Sequence, residues 1–260
     1  MISVNLKGGL GNQMFQIAAG YALAARTNRK FACSHEYLSK EHGGSAQYFK
    51  SVLRNVPFTE KLPPGFWGYS EKTFHYTSLN NLEGSVFLDG YFQSEKYFED
   101  FKKAVVNMFS IDDESLSYLK EHFKSIFTTE NTCALHIRRG DYLNLQHYHP
   151  EQPISYFKEA IDIIGDDCLY VVCSDDIPWC MENLTFVKNK IFMGGIPSYM
   201  RFYAASLCRH NIMANSTFAW WAAYLNRNPD KKVIAPKHWF GPGYAHWSTK
   251  DLYCDNWITL

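Results

Sequence analysis

Apolar residues in this chain come in short runs separated by stretches of helical spacing. The pattern is most regular from residue 133 onward. Runs at 133–137, 169–173, 190–193, 211–214 and 232–235 read as strands, and 153–164, 177–184, 198–208 and 217–226 between them read as helices. Continuously apolar runs predict strands buried on both faces, and their alternation with helices predicts βαβ units and a parallel sheet. Pro153 and Pro178 sit where a first-turn proline loses no hydrogen bond. Ser198 and Ser216 are expected N-caps, and Pro229 lies beyond the last helix, which it cannot continue.

The first half opens the same way. A strand over 2–6 runs into Lys7-Gly8-Gly9-Leu10-Gly11-Asn12-Gln13 and then into a helix. Met14, Ile17, Ala18, Tyr21, Ala22 and Ala25 form its expected apolar face. The stretch 35–83 is polar, aromatic and poorly periodic, and reads as loops and short elements. A further strand is expected at 86–89, with Ser94 capping a helix after it. The stretch 109–131 reads as a helix and connector between two α/β halves, 1–128 and 129–260.

Composition narrows the class. The chain has 260 residues, 46% hydrophobic and 20% charged, the values of a globular protein with a sizeable core. Lys+Arg and Asp+Glu are both 26. That balance lacks the basic excess of a nucleic-acid binder, so any anion must be held by local charge. The aromatic share of 17% suits a protein that stacks sugars or bases, and equally an aromatic core. The seven cysteines are odd in number and contain no CxxC pair, which favours reduced thiols in a cytosolic protein over disulfides or zinc. The N-terminus has no signal-peptide pattern and no apolar run is long enough to span a bilayer, so a cytoplasmic protein is expected.

In an open parallel sheet, ligands bind outside the carboxyl ends of the strands. After 133–137 comes Arg138-Arg139-Gly140-Asp141-Tyr142, preceded by His136. Two guanidinium forks at a strand end suit a phosphate; a surface ion pair with Asp141 is the plain alternative. After 169–173 comes Ser174-Asp175-Asp176, where a carboxylate at a strand end can accept from the N–H groups of guanine or cap the next helix. One of the two aspartates is expected only to cap. After 211–214 comes Asn215-Ser216-Thr217-Phe218, hydroxyls at a helix N-terminus that make an anion site, with Phe218 placed to touch a base. Trp220 and Trp221 fall inside the helix and read as core. Gly8, Gly9 and Gly11 let a backbone approach a ligand, but in neither GxGxxG nor GxxxxGK[ST] spacing, which disfavours dinucleotide oxidoreductases and P-loop NTPases. No Asp-x-Asp occurs, so the arginines stand where many sugar-nucleotide enzymes place a metal.

These segments closely resemble the α-1,2-fucosyltransferases, glycosyltransferase family 11. The resemblance is carried by residues 8–16, Gly90-Tyr91-Phe92-Gln93-Ser94, His136-Ile137-Arg138-Arg139-Gly140-Asp141-Tyr142, Ser174-Asp175-Asp176 with Trp179-Cys180, and Asn215 through Trp221. It implies a GT-B-like fold of two facing Rossmann-like α/β domains with parallel sheets, an acceptor-side domain 1–128 and a donor-binding domain 129–260. It implies GDP-fucose as donor, no cofactor, no metal, and inverting transfer to the 2-hydroxyl of a β-galactoside. It also implies roles for residues. Arg138 contacts the β-phosphate and Arg139 supports it. His136 and Asp175 face guanine, with Ser174 beside them. Asn215, Ser216, Thr217 and Phe218 bind the donor, and Gly9, Gly11, Asn12 and Gln13 close over the diphosphate.

The expected reaction is one in-line displacement, with Arg138, helix N-termini and hydroxyls stabilising charge on the leaving phosphate. Asp141 is a candidate base, but an ion-paired carboxylate is a poor one; Asp89 and Glu95 are rivals. The alternatives are a fucosyltransferase of another linkage, a GDP-mannose-using transferase, a non-catalytic nucleotide-sugar-binding protein and a structural α/β protein. The expected acceptor is a galactose-containing oligosaccharide or a lipid-linked glycan, met in the cytoplasm or at the inner membrane surface without stable insertion.

Overall fold

The computed structural model of the chain describes residues 1–37 and 48–260; the part of the expected loop region at 38–47 lies outside them. The chain divides into two units, Met1–Ser110 with Trp247–Cys254, and Ile111–His246 with Asp255–Leu260.

In the first unit, β1 (Ile2–Val4) leads into α1 (Leu10–Arg26), followed by the short strands β2 (Cys33–Ser34) and β3 (Phe58–Thr59), then β4 (Phe66–Ser70), β5 (Ser85–Asp89) and α2 (Lys102–Met108). The main sheet has the order β1-β5-β4, all parallel, and β2 pairs with β3 in a second one. The sequence pattern shows α1 as amphipathic, with Tyr21 and Ala25 on its buried face. Instead α1 is buried nearly all round, while Tyr21 is half-buried and Ala25 exposed. The helix presses close to the sheet: a Cβ at Gly20 would meet Val4 Cγ1 at 2.5 Å and Phe31 Cε2 at 2.7 Å. Strand β4, inside the region read as loops, is an edge strand with only half-buried and exposed residues, so no apolar run marks it. Ser94 caps a single 3-10 turn, accepting from Lys96 N–H at 3.3 Å. Residues 247–254 complete this unit. Asp251 accepts from Lys96 Nζ at 2.7 Å and from Tyr76 N–H at 3.1 Å, and the Trp247 ring stacks on Phe74 at 5.6 Å.

The second unit begins with α3 (Asp113–His122), which Asp112 caps by accepting from Ser115 N–H at 2.7 Å, and α4 (Ser125–Thr128). Then β6 (Thr132–Ile137), α5 (Ile154–Ile164), β7 (Leu169–Ser174), α6 (Ile177–Asn183), β8 (Lys190–Phe192), α7 (Ser198–Leu207), β9 (His210–Ile212), α8 (Thr217–Leu225), β10 (Val233–Ala235) and β11 (Ile258–Thr259) follow. The six strands are all parallel in the order β11-β10-β9-β6-β7-β8. Every residue of β6 and β7 is buried, as the continuous apolar runs predict. Side chains alternate between the two faces. Cys133, Leu135 and Ile137 of β6, with Tyr170 and Val172 of β7, pack in one core cluster with α5 and α6. Cys173 faces the other way, its Sγ 3.7 Å from Arg201 O on α7. Ser216 is the N-cap of α8 as expected, whereas α7 is entered through Pro197 and Ser198 is its first helical residue.

All seven cysteines are free and buried. Burial pushes the thiols of Cys133, Cys173 and Cys208 up, so they are poor nucleophiles. A thiol-specific disulfide reagent should leave the native protein nearly unlabelled and titrate seven thiols in guanidinium. Fast labelling of two or more native thiols would contradict this packing.

Candidate active site

In the second unit the central strands β9, β6 and β7 lie side by side, with Ile137 opposite Ser174 and Leu135 opposite Ile212. The segments that follow them therefore emerge together at the carboxyl edge. A 3-10 turn, Gly140–Asn144, follows β6.

Asp175 joins two of these segments. Its Oδ1 accepts from Arg139 N–H at 2.9 Å and its Oδ2 pairs with Arg138 Nη1 at 2.7 Å. Gly140 makes this possible: a Cβ there would stand 2.5 Å from Asp175 Oδ2. Arg138 also pairs with Asp141 through Nη2, and its guanidinium lies 5.2 Å from the centre of the Tyr142 ring. The Tyr142 hydroxyl donates to Asn215 O at 2.9 Å, tying the loop after β6 to the one after β9. Arg139 is more enclosed. It pairs with Asp176 at 3.2 Å and with Glu151, and its guanidinium lies 4.0 Å from the centre of the Trp179 ring. The arginine side chains are 31% and 14% exposed, so Arg138 is the better placed to meet a ligand. Arg138 Nε and Arg139 Nη2 have no partner among the described residues.

Asp176 caps α6, accepting from Trp179 N–H at 3.1 Å, and its other oxygen takes Arg139. Ser174 Oγ accepts from Asp176 N–H at 2.9 Å and shapes the same turn. Asn215 is buried; its Nδ2 donates to Pro150 O at 2.9 Å and Trp239 O at 3.0 Å, while its Oδ1 has no partner. Ser216 caps α8 in position only: its side chain makes no capping bond, and neither it nor Thr217 has a side-chain hydrogen bond among the described residues. The first N–H groups of α8 thus lack a side-chain acceptor, the arrangement that receives an anion.

His136 lies next to this edge, buried, with Nδ1 unpartnered. Its ring centroid is 5.5 Å from that of Phe218, which is 5.2 Å from Phe202. Burial first, and then the positive charges of Arg138 and Arg201, push its pKa down to about 3. A neutral imidazole beside a partly exposed aromatic ring suits a flat heterocycle.

Gly9, Gly11, Asn12 and Gln13 belong to the first unit. Gly8 takes φ +73° and Gly9 caps α1 without a side chain, so the first N–H groups of α1 are also uncapped. Gln13 Nε2 donates to Gly8 O at 2.8 Å, and Asn12 Oδ1 accepts from Gln93 Nε2 at 3.0 Å. Asp89, a rival base, is bound to Lys7 at 2.7 Å and Asn5 at 3.0 Å; Glu95 stands 3.9 Å from Lys102. Glu71, which the sequence pattern left unmarked, accepts from Tyr91 N–H at 2.6 Å and Phe92 N–H at 3.1 Å, and burial raises its pKa. It holds Phe92 at φ +51°, a left-handed backbone a bulky residue rarely adopts.

The sequence model of glycosyl transferase family 11 matches residues 1–260. The chain belongs to glycosyl transferase family 11. Among family 11 relatives, the O-antigen biosynthesis glycosyltransferase WbnK of Escherichia coli is 29% identical, over 98% of this chain and 99% of that protein. An alpha-1,2-colitosyltransferase of Escherichia coli is 27% identical over 92% of each. Among solved structures, the NodZ alpha-1,6-fucosyltransferase co-crystallized with GDP superposes with a TM-score of 0.55 at 12% identity, covering 85% of this chain and 90% of that one. POFUT1 in complex with GDP gives 0.56 at 10% identity, covering 90% and 96%. At such identities the likeness speaks for the fold, and this family 11 chain has the expected GT-B-like α/β fold with parallel sheets. No helix among its described residues is long and apolar enough to cross a membrane.

The neutral His136 of this family 11 chain gives stability a pH window. Unfolded, it titrates at the ordinary 6.5; folded, at about 3. Its contribution is complete above pH 6.5 and declines as pH falls toward 3, because only the unfolded chain takes up the proton. At pH 4.5 the loss is about 3 kcal/mol. A His136→Gln variant should lose correspondingly less stability between pH 7 and 4.5 in urea titrations. An equal loss in both proteins would contradict a buried neutral His136.

Proposed function

We propose that this family 11 chain transfers L-fucose from GDP-fucose to the 2-hydroxyl of a β-galactoside, with inversion and without a metal. The observation that carries the reading is the Arg138–Asp175 pair beside the uncapped start of α8 at the carboxyl edge of one parallel sheet. A guanidinium and helix N–H groups without a side-chain acceptor stand at the same edge of the sheet, and both suit an anion. The names of the relatives favour the linkage and the class of sugar: one is an alpha-1,2-colitosyltransferase, and a galactoside alpha-(1,2)-fucosyltransferase 2 of Pongo pygmaeus is 26% identical over 86% of this chain. The O-antigen glycosyltransferase WbnK favours a bacterial surface glycan as acceptor.

In this mechanism the acceptor hydroxyl attacks the anomeric carbon as GDP leaves. Negative charge grows on the β-phosphate, where Arg138 and the α8 N-terminus meet it. Asp175 and Asp141 hold the Arg138 guanidinium in its plane, so Asp175 acts here as an orienting group. Arg139, stacked on Trp179 and tied to Asp176 and Glu151, fixes the loop that carries Arg138. Ser216 and Thr217 donate to the phosphates, and His136 and Phe218 receive the base. Asp141, already paired with Arg138, is an orienting carboxylate rather than the base.

The test is incubation with GDP-fucose and a panel of β-galactosides in EDTA, followed by mass spectrometry of product and released GDP. Linked product in EDTA is expected; product only with added metal would overturn the metal-free part of the reading. Arg138→Ala should lower kcat by about a thousandfold with little change in Tm, the scale of losing a donor to developing charge. Asp141→Asn should cost roughly tenfold, as expected for an orienting group whose removal leaves the arginine in place. A loss at Asp141 equal to that at Arg138 would make Asp141 the base.

A further inference from the structure

Arg201 has no part in the roles assigned above. It lies in the first turn of α7, where the positive end of the helix dipole disfavours a cation, and no acidic residue accompanies it there. Its Nη1 donates to Ile196 O at 3.1 Å, and no carboxylate lies within 4.0 Å of its guanidinium among the described residues. Arg138 and Arg139, by contrast, each hold two carboxylates. An arginine kept against the dipole and without a counter-charge, with one backbone hydrogen bond as its only return among the described residues, breaks a local rule, which marks a functional position.

Its neighbours indicate the ligand. Cys173 Sγ reaches Arg201 O at 3.7 Å, and Cys173 is the register partner of His136. Phe202, the next residue, packs on Phe218 at 5.2 Å, and Phe218 packs on His136 at 5.5 Å. A long side chain in a helix leans toward the helix N-terminus, and α7 starts from the loop that follows β8, at the same carboxyl edge. One corner of the second unit thus holds a partly exposed aromatic ring, a buried imidazole with a free Nδ1, and a guanidinium fork. The carboxylate expected to accept from guanine, Asp175, is turned to Arg138 and Arg139. The corner offers donors to a base. A guanidinium fork fits two adjacent acceptors in one plane, as O6 and N7 of guanine are; adenine places an amino donor where guanine has O6.

We propose that Arg201 is the residue that sets the nucleotide specificity of the donor: with His136 and Phe218 it takes guanine by its O6 and N7 edge and leaves the 2-amino group unread. The proposal rests on the GDP-sugar reading above.

Calorimetric titration of the full chain with GDP, IDP and ADP tests it, since hypoxanthine keeps O6 and N7 but lacks the 2-amino group. Wild-type protein should bind IDP within about threefold of GDP and ADP about a hundredfold more weakly, the usual span for one bidentate base contact. Arg201→Met should weaken GDP and IDP by about the same hundredfold and leave ADP unchanged, a ratio that a merely structural role would not move. A preference for GDP over IDP of about thirtyfold would show that an acceptor group reads the 2-amino, and would overturn the assignment even if the variant fails to fold. An unchanged GDP-to-ADP ratio in folded Arg201→Met would overturn it as well. Wild-type protein that binds none of the three would instead sink the GDP-sugar reading, and this assignment with it.

Discussion

Asp175 reaches from the end of β7 across to the loop after β6, where its two oxygens take the side chain of one arginine and the backbone N–H of the next. Much of the site's arrangement follows from that crossing. Two parallel strands fix the ends of their loops only to within a few ångströms; the carboxylate removes the remaining freedom by binding both at once. It requires a glycine at 140, because any side chain there would occupy the space of Oδ2. It also gives the two arginines different fates. Arg138 is left partly exposed, while Arg139 is turned inward onto Trp179.

The sheet sets up a second division. Along β6, Leu135 and Ile137 serve the core with α5 and α6, whereas His136 packs on Phe218 of α8. A period of two thus turns neighbouring residues of one strand to opposite faces, two to the core with α5 and α6 and one to α8.

Most of the second unit is legible in the sequence, because buried parallel strands write themselves as unbroken apolar runs; the two-residue, exposed edge strand β11 carries no such run. The strand-end rule points to the loops of Arg138, Asp175 and Ser216, and the structure brings these loops to one edge of the sheet. It did not mark Glu151 or Arg201, since one sits in a loop between two prolines and the other on a helix, with no local pattern distinguishing them from surface charges. In the first unit, β4 was hidden because an edge strand with exposed tryptophan and a central glycine has neither an apolar run nor clean alternation. The burial of α1 on nearly all sides was hidden too, since alanine and glycine are weak markers of a face and tolerate close packing on any side.

The segment Trp247–Cys254 belongs to the first unit although the chain reaches it only after building most of the second. During synthesis the first unit therefore emerges incomplete. Its Lys96 and Phe74 wait without Asp251 and Trp247 while more than a hundred further residues are made. Domains usually fold in order from the ribosome, the first ahead of the next. Here the final closure of the first unit waits on residues made after most of the second, so an interrupted chain carries an unfinished beginning as well as a missing end.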